Sequence, residues 1–430
     1  MDSLPNSFNP NKRLKEEFVT NLTGSSMLEV SALLTIVSIL VILRHSFSSN
    51  RLFVDTSLKK NDNEILGSKD WRAYMATMAV DFLVLVLPNI LFFTVLADWT
   101  YLWAILLIIV LFFIIALKRS DFPSPSFERR VHYTKEFISS YRVSMMILTC
   151  LCILAVDFRI FPRKYAKTET YGTSLMDIGV GSFVLVNSLV SRQARNVSSV
   201  RWKTALQSTS PLIILGLVRL ISTAGVDYQV HVGEYGVHWN FFFTLAATSI
   251  LTSIINVPPR YSGMLGSLVL VGYWGMYLLG VQLGNYLFFG NNSSAFLRSN
   301  RWAGIRALIL SILFWIITVL LDRHVERVSR RMCNLTYVTM VLALNLQVLA
   351  ILMLSDYIPG SKTSVLEEAF NRNLLGAFLL ANVLTGLVNL SVDTLSAASV
   401  TALFVLVVYA STLSTVVGIA DFCGIRLKFW

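Results

Sequence analysis

Long apolar runs recur along the whole chain, near 27–44, 74–97, 99–117, 142–157, 173–190, 206–223, 239–256, 262–289, 302–321, 332–354, 374–391 and 398–420. A helix needs about 20 mostly apolar residues to cross a bilayer, so the pattern predicts about 12 transmembrane spans. The first run lacks an obvious small-residue cleavage site and is followed by Arg44, which reads as an uncleaved helix rather than a signal peptide. No polar stretch is long enough to bury a core of its own. The expected architecture is all-α, a polytopic transmembrane helix bundle forming one domain over 1–430, with a polar segment at 1–26, the bundle at 27–420 and a short tail at 421–430.

Composition agrees. Of 430 residues 55% are hydrophobic and only 14% charged, and the mean hydropathy is +0.63, far from a soluble domain. The net charge of +11 reads as basic loops facing anionic lipid rather than as a nucleic-acid surface. Cys150, Cys152, Cys333 and Cys423 have neither disulfide-framework nor zinc spacing. No metal-ligand set, nucleotide-binding glycine loop, HExxH or G-x-S-x-G motif occurs.

Lysine and arginine bias sets orientation. The loops 44–73 and 118–142 each carry six basic residues, whereas the turn between them has only Asp98. Both basic loops therefore belong in the cytosol and the N-terminus in the lumen, a side compatible with the sequon Asn21-Leu22-Thr23. One segment breaks the trend. The stretch "AVDFRIFPRKYAKTETYGTSLMD", Ala155 to Asp177, falls on the lumenal face with Arg159, Arg163, Lys164 and Lys167.

Three clusters have chemical potential. Pro162 interrupts any helix between Asp157 and Lys167, so a turn there can bring the two together. They form either a structural salt bridge or an acid/base pair, with Asp157 taking a proton from a hydroxyl and Lys167 supporting its charge or a developing oxyanion. In "EYGVHWNFFFTL", Glu234 and His238 stand at i and i+4, beside Trp239 and Asn240, and either orient a base or anchor a helix at the interface. In "LLANVLTGLVNLSVDT", Asn382, Thr385 and Asn389 share a helical stripe that either glues helices or lines a groove.

The blocks "LAVDFRIFPRKYAKTETYGTSLMDIGVGSFV", "EYGVHWNFFFTL", "VERVSRRMCNLTYV" and "LLANVLTGLVNLSVDTL", together with "KEEFVTNLTGSSMLEV", resemble the signatures of the glycosylphosphatidylinositol (GPI) inositol acyltransferases of the endoplasmic reticulum. The resemblance is spread over nearly the whole chain. It implies a multi-pass membrane enzyme that moves a fatty acyl group, typically palmitoyl, from acyl-coenzyme A to the inositol ring of glucosaminyl-phosphatidylinositol. It implies about 13 spans, against about 12 by the length rule. Asp157 and Lys167 become the catalytic pair, with His238 as a helper base. The candidate substrate-binding set is Arg159, Arg163, Lys164, Glu169, Asp177, Glu234, Trp239, Asn240, Asn382 and Asn389. No resident cofactor is implied; acyl-coenzyme A is a co-substrate, and the partners are the two lipid substrates and the membrane.

The chain departs from the family pattern at one point. Between "PPRY" and "GYWGMYLLG" it runs straight through "VPPRYSGMLGSLVLVGYWGMYLLG", Val257 to Gly280, so that about 40 residues, one span and its loop, are absent. Plain counting then inverts everything downstream and puts the arginine loop 322–331 in the cytosol. Two other classes compete with the enzyme: a transporter, since intramembrane charges beside a proline also mark solute pathways, and an inactive shortened form acting as a scaffold.

Overall fold

The structure is a computed structural model that describes residues 17–18, 20–47, 71–118, 127–196, 202–224, 239–269, 272–289, 300–358 and 363–426. It is an all-α polytopic bundle. The helices are α1 (Met27–Phe47), α2 (Trp71–Asp81), α3 (Leu87–Phe92), α4 (Thr100–Lys118), α5 (Phe127–Ala155), α6 (Ile178–Leu189), α7 (Trp202–Ala224) and α8 (Phe241–Ile255). They continue with α9 (Pro259–Val269), α10 (Tyr273–Gly284), α11 (Asn300–His324), α12 (Leu335–Leu352), α13 (Val365–Arg372), α14 (Leu374–Ser391) and α15 (Ser399–Phe422). A wide π turn, Phe82–Val86, joins α2 to α3. Pro88 sits in the first turn of α3, where it cannot donate to the preceding ladder, and the widened turn absorbs that loss.

Among the described residues, eight helices are long and apolar enough to cross a membrane. The four predicted runs between 173 and 289 take a form other than one long apolar helix each. In the first, residues 173–177 belong to a loop and α6 starts only at Ile178. In the second, the apolar part of α7 is confined to Thr209–Ile221. In the third, Asn240 starts α8 and a left-handed Asn256 ends it after 15 residues. Helices of 12 to 15 residues reach only about 18–22 Å at about 1.5 Å per residue, short of a ~30 Å hydrocarbon core.

The run 262–289 is not one helix. It divides at Gly272, whose φ of +104° reverses the chain, and α9 folds back along α10. The antiparallel register is fixed by close approaches. A Cβ on Gly263 would meet the Gln282 side chain, and one on Gly266 would lie 2.8 Å from the Gly275 carbonyl oxygen. Small residues let two helix backbones approach without a hydrophobic driving force between them.

That hairpin overturns the expected inversion. Gly272 N–H donates to the Cys333 carbonyl, so α10 begins on the face where the 325–334 loop lies. It leaves toward the opposite face, and α11 returns. The arginine loop then lands against the Ala155–Asp177 segment: Gly172 N–H donates to the Val328 carbonyl at 2.8 Å, and Ser329 Oγ donates to the Thr170 carbonyl at 2.6 Å.

The core is built on α1 and α12, which are buried over most of their length, while α4, α11 and α14 turn apolar surface outward. Within the core, Gln347 of α12 accepts from Ser31 of α1 and Trp315 of α11 and donates to Thr35 of α1. Tyr141 of α5 donates to Asn345 of α12. Such polar links replace the hydrophobic effect as helix glue in lipid. At the end opposite the loops, buried Arg44 pairs with Asp81, and His45 pairs with Glu367 at 2.6 Å. Glu367 also closes a capping box with Ser364 at the start of α13.

On the loop face, the entry to α1 is clamped by the segment before α6. Ser25 N–H donates to the Thr173 carbonyl at 2.6 Å, and Thr173 Oγ1 returns a 2.6 Å bond to the Ser25 carbonyl. Gly172 has φ +125°, and a Cβ there would lie 2.1 Å from the Thr23 carbonyl oxygen. Gly172→Ala is therefore expected to destabilise the protein by about 1–3 kcal/mol, read as a lowered Tm in detergent against wild type.

Candidate active site

The site is a loop, and its shape follows from how α5 ends. Tight turns follow Ala155, with Asp157 N–H donating to Leu154, Phe158 N–H to Ala155 and Phe161 N–H to Phe158. Phe158 and Phe161 are fully buried and pin the turns to the core. The last carbonyls of a helix lack intrahelical donors, and Arg163 supplies them. Its Nη2 lies 2.9 Å from the carbonyl oxygens of Val156, Phe158 and Phe161, with the guanidinium stacked 3.9 Å from the Phe18 ring centroid. Burial lowers the Arg163 pKa to about 10, and the charge of Asp157 opposes that fall. Arg163 thus stays cationic at neutral pH. Its Nη2 and Nε donors face backbone carbonyls, where the sequence suggested a phosphate.

Asp157 is half-buried. Its Oδ2 accepts from Asn389 Nδ2 of α14 at 2.8 Å, across 232 residues of sequence. Of the predicted polar stripe on α14, Asn389 crosses to this site, whereas Asn382 bonds to the Phe378 carbonyl of its own helix and Thr385 to that of Ala381. After Pro162 a short 3-10 turn, Arg163–Tyr165, reverses the chain. Half-buried Lys167 follows it, next to fully enclosed Thr168. Arg159 is exposed on the outer side of the turn.

The remaining charges of the segment fasten it down. Lys164 Nζ lies 2.8 Å from Glu29 of α1, and Tyr165 OH donates to the same carboxylate at 2.8 Å. Glu169, exposed, accepts from the Asn21 N–H. Asp177 is fully buried and accepts from Thr168 N–H, Thr168 Oγ1 and, at 2.6 Å, Arg330 Nε. Tyr337 OH donates to the Asp177 backbone carbonyl. The Ala155–Asp177 segment is therefore held from α1, α12 and the arginine loop at once. Arg330 escaped the sequence reading because it lies 153 residues from its partner; its only signal was the unusual "VERVSRR" block.

Two expected residues, Glu234 and His238, lie outside the described residues. Their neighbours act on local structure. Asn240 caps α8, accepting from Phe242 and Phe243 N–H, and its amide donates to the Gly216 carbonyl of α7. Trp239, exposed, donates to Thr244 Oγ1.

The site offers a half-buried carboxylate oriented by an amide, a lysine on the returning strand of the turn, and a rigid frame at a bundle end. That arrangement suits proton removal from a hydroxyl at a membrane face.

Comparison with known proteins identifies the family of the chain. The GWT1 family model matches residues 11–271 and 266–420. The two matches meet at 266–271, where α9 ends, and that is where the sequence lacks a span. An uncharacterized protein of Arabidopsis thaliana is 50% identical over 434 aligned positions, covering 91% of this chain and 98% of that protein. Since 91% of 430 residues is about 391, the relative fills about 43 positions that this chain leaves empty. The phosphatidylinositol-glycan biosynthesis class W protein of Dictyostelium discoideum is 35% identical, covering 69% of this chain and 76% of that protein. The GPI-anchored wall transfer protein 1 of Saccharomyces cerevisiae is 32% identical, covering 94% and 96% respectively. With matches spread over both halves of the bundle, this chain belongs to the GWT1 family.

Proposed function

We propose that this protein is an O-acyltransferase of GPI-anchor biosynthesis in the endoplasmic reticulum membrane, moving a palmitoyl-like acyl group from acyl-coenzyme A to the inositol of glucosaminyl-phosphatidylinositol. The observation that carries the reading is the Asp157–Asn389 pair, a carboxylate oriented within a rigid turn of a chain whose relatives are named for phosphatidylinositol-glycan biosynthesis and GPI-anchored wall transfer. The loop face is assigned to the lumen on the lysine and arginine bias of 44–73 and 118–142.

In the proposed step, the inositol hydroxyl oxygen attacks the thioester carbonyl carbon. Asp157 accepts the hydroxyl proton as the C–O bond forms, so no free alkoxide is needed. Asn389 fixes the carboxylate by donating to Oδ2. Lys167 stabilises the charge that develops on the carbonyl oxygen. Collapse breaks the C–S bond, and the coenzyme A thiolate leaves and takes up a proton, while the inositol keeps the new ester. His238 shares the base role. A covalent route through Cys150 or Cys152 is disfavoured, because both are buried inside α5 and, among the described residues, no cation pairs with either.

The test is complementation. Expression in cells lacking the inositol acyltransferase should restore inositol-acylated glucosaminyl-phosphatidylinositol, detected by mass spectrometry. Membrane-inserted protein with no acylated product would contradict the proposal.

A further inference from the structure

Beside the catalytic turn, a second feature of the loop face has no role in the chemistry above. It is a cleft of about 600 Å³ between the entry to α1, the Tyr171–Thr173 strand of the loop and the end of α11. Its size is that of a small-molecule site. The charged residues that line it are Asp322, Arg323 and Arg327. Both arginines are exposed, and among the described residues the side chain of neither makes a hydrogen bond or ion pair. Two other arginines of this face are held by the protein itself: Arg163 by backbone carbonyls and Arg330 by Asp177. Hydroxyls of Ser25, Ser26 and Thr173 complete the polar wall, and Ser25 Oγ is buried with no hydrogen-bond partner.

The wall on the other side is apolar and faces lipid. Val319 lines the cleft. Below it Ile312, Leu313, Ile316 and Leu320 lie exposed along α11. Cations and hydroxyls above an exposed apolar helix face match an amphiphile with a phosphate at the interface and chains in the bilayer. Asp322 adds selectivity. One oxygen accepts from Val328 N–H at 2.9 Å, which orients the carboxylate at the cleft.

We propose that this cleft holds the headgroup of the acceptor lipid, Arg323 and Arg327 binding the phosphodiester and Asp322 the ammonium of its amino sugar. Arginine is suited to this role because its planar fork pairs with phosphate oxygens two at a time. The proposal rests on the acyl-transfer reading for the identity of the lipid, but the binding is measurable without turnover. The frame explains why the cleft is stiff: Gly172 and Thr173, which line it, are the residues clamped to Ser25 and Val328.

The experiment is equilibrium titration of the full-length protein in detergent micelles with glucosaminyl-phosphatidylinositol, with phosphatidylinositol and with coenzyme A. Three proteins are compared: wild type, the double variant Arg323→Gln/Arg327→Gln, and Asp322→Asn, which keeps an acceptor for Val328. The double variant should weaken both lipids by about tenfold or more, as for two lost charge-assisted bonds, and leave coenzyme A unchanged. Asp322→Asn should remove the preference for the amino-sugar lipid and leave phosphatidylinositol affinity as it was. Loss of coenzyme A affinity with lipid affinity intact would overturn the assignment and make the cleft a nucleotide-phosphate site. Unchanged affinities in a variant with wild-type Tm would overturn it outright. Lipid binding that follows the predicted pattern, without any acyl transfer by wild type, would leave the headgroup site standing and refute the transferase reading instead.

Discussion

Asp157→Asn is expected to give a folded, membrane-inserted protein whose inositol acylation rate is lower by about 10²–10⁴-fold, the usual contribution of a general base. The substitution is close to isosteric. An amide oxygen at the Oδ2 position still accepts from Asn389, so the turn keeps its anchor to α14. Phe158, Phe161 and Arg163 hold the backbone on either side whatever residue stands at 157. Loss of rate with Tm retained would therefore report the chemistry and not the fold. A variant with at least a third of the wild-type rate would remove Asp157 from the reaction. Asn389→Ala probes the orienting contact: it should lower the rate less than Asp157→Asn does, because the carboxylate remains but loses the amide that fixes it.

The largest stability effect is expected at Arg330. This guanidinium is almost wholly enclosed against Asp177, which is itself fully buried. Arg330→Met leaves the carboxylate without its cation in a desolvated pocket, at a cost of about 3–5 kcal/mol. Adding Asp177→Asn should recover part of that loss, since an amide oxygen at the Oδ2 position can still accept from both Thr168 N–H and Oγ1. Thermal unfolding of the single and double variants in detergent measures the coupling. If Arg330→Met melts within about 1 kcal/mol of wild type, the pair does not hold the loop, and the rigidity argued for the site fails with it.

Much of the bundle was legible because span length depends only on the number of consecutive apolar residues. Runs such as 374–391 and 398–420 became α14 and α15 with little change. The departures share one cause. Between residues 173 and 289 the chain packs short helices beside the long ones, and hydropathy cannot distinguish a 28-residue span from two half-length helices meeting at a glycine. Only the backbone conformation at Gly272 and the contact of Gly266 with Gly275 reveal the hairpin. That local break decides the side on which the arginine loop emerges, so a small misreading propagated through the C-terminal half.

The site shows the same division. Its residues were concentrated in one anomalous stretch, because lysines and arginines on the wrong face stand out against the positive-inside trend. Their individual roles were not legible. Arg163 caps a helix, Lys164 pairs with Glu29 and Asp177 with Arg330, and each partner is set by tertiary contacts. Arg323 and Arg327, which line the cleft, stood in a loop noted for its orientation and for the "VERVSRR" block, with nothing to show that they share a cleft.

The most direct measurement is a single-turnover assay with purified protein, isotope-labelled palmitoyl-coenzyme A and glucosaminyl-phosphatidylinositol, read by mass spectrometry. The account predicts one labelled acyl ester on the inositol ring, with one free coenzyme A thiol released per product. Folded protein that binds both substrates and yields no inositol ester would contradict the account.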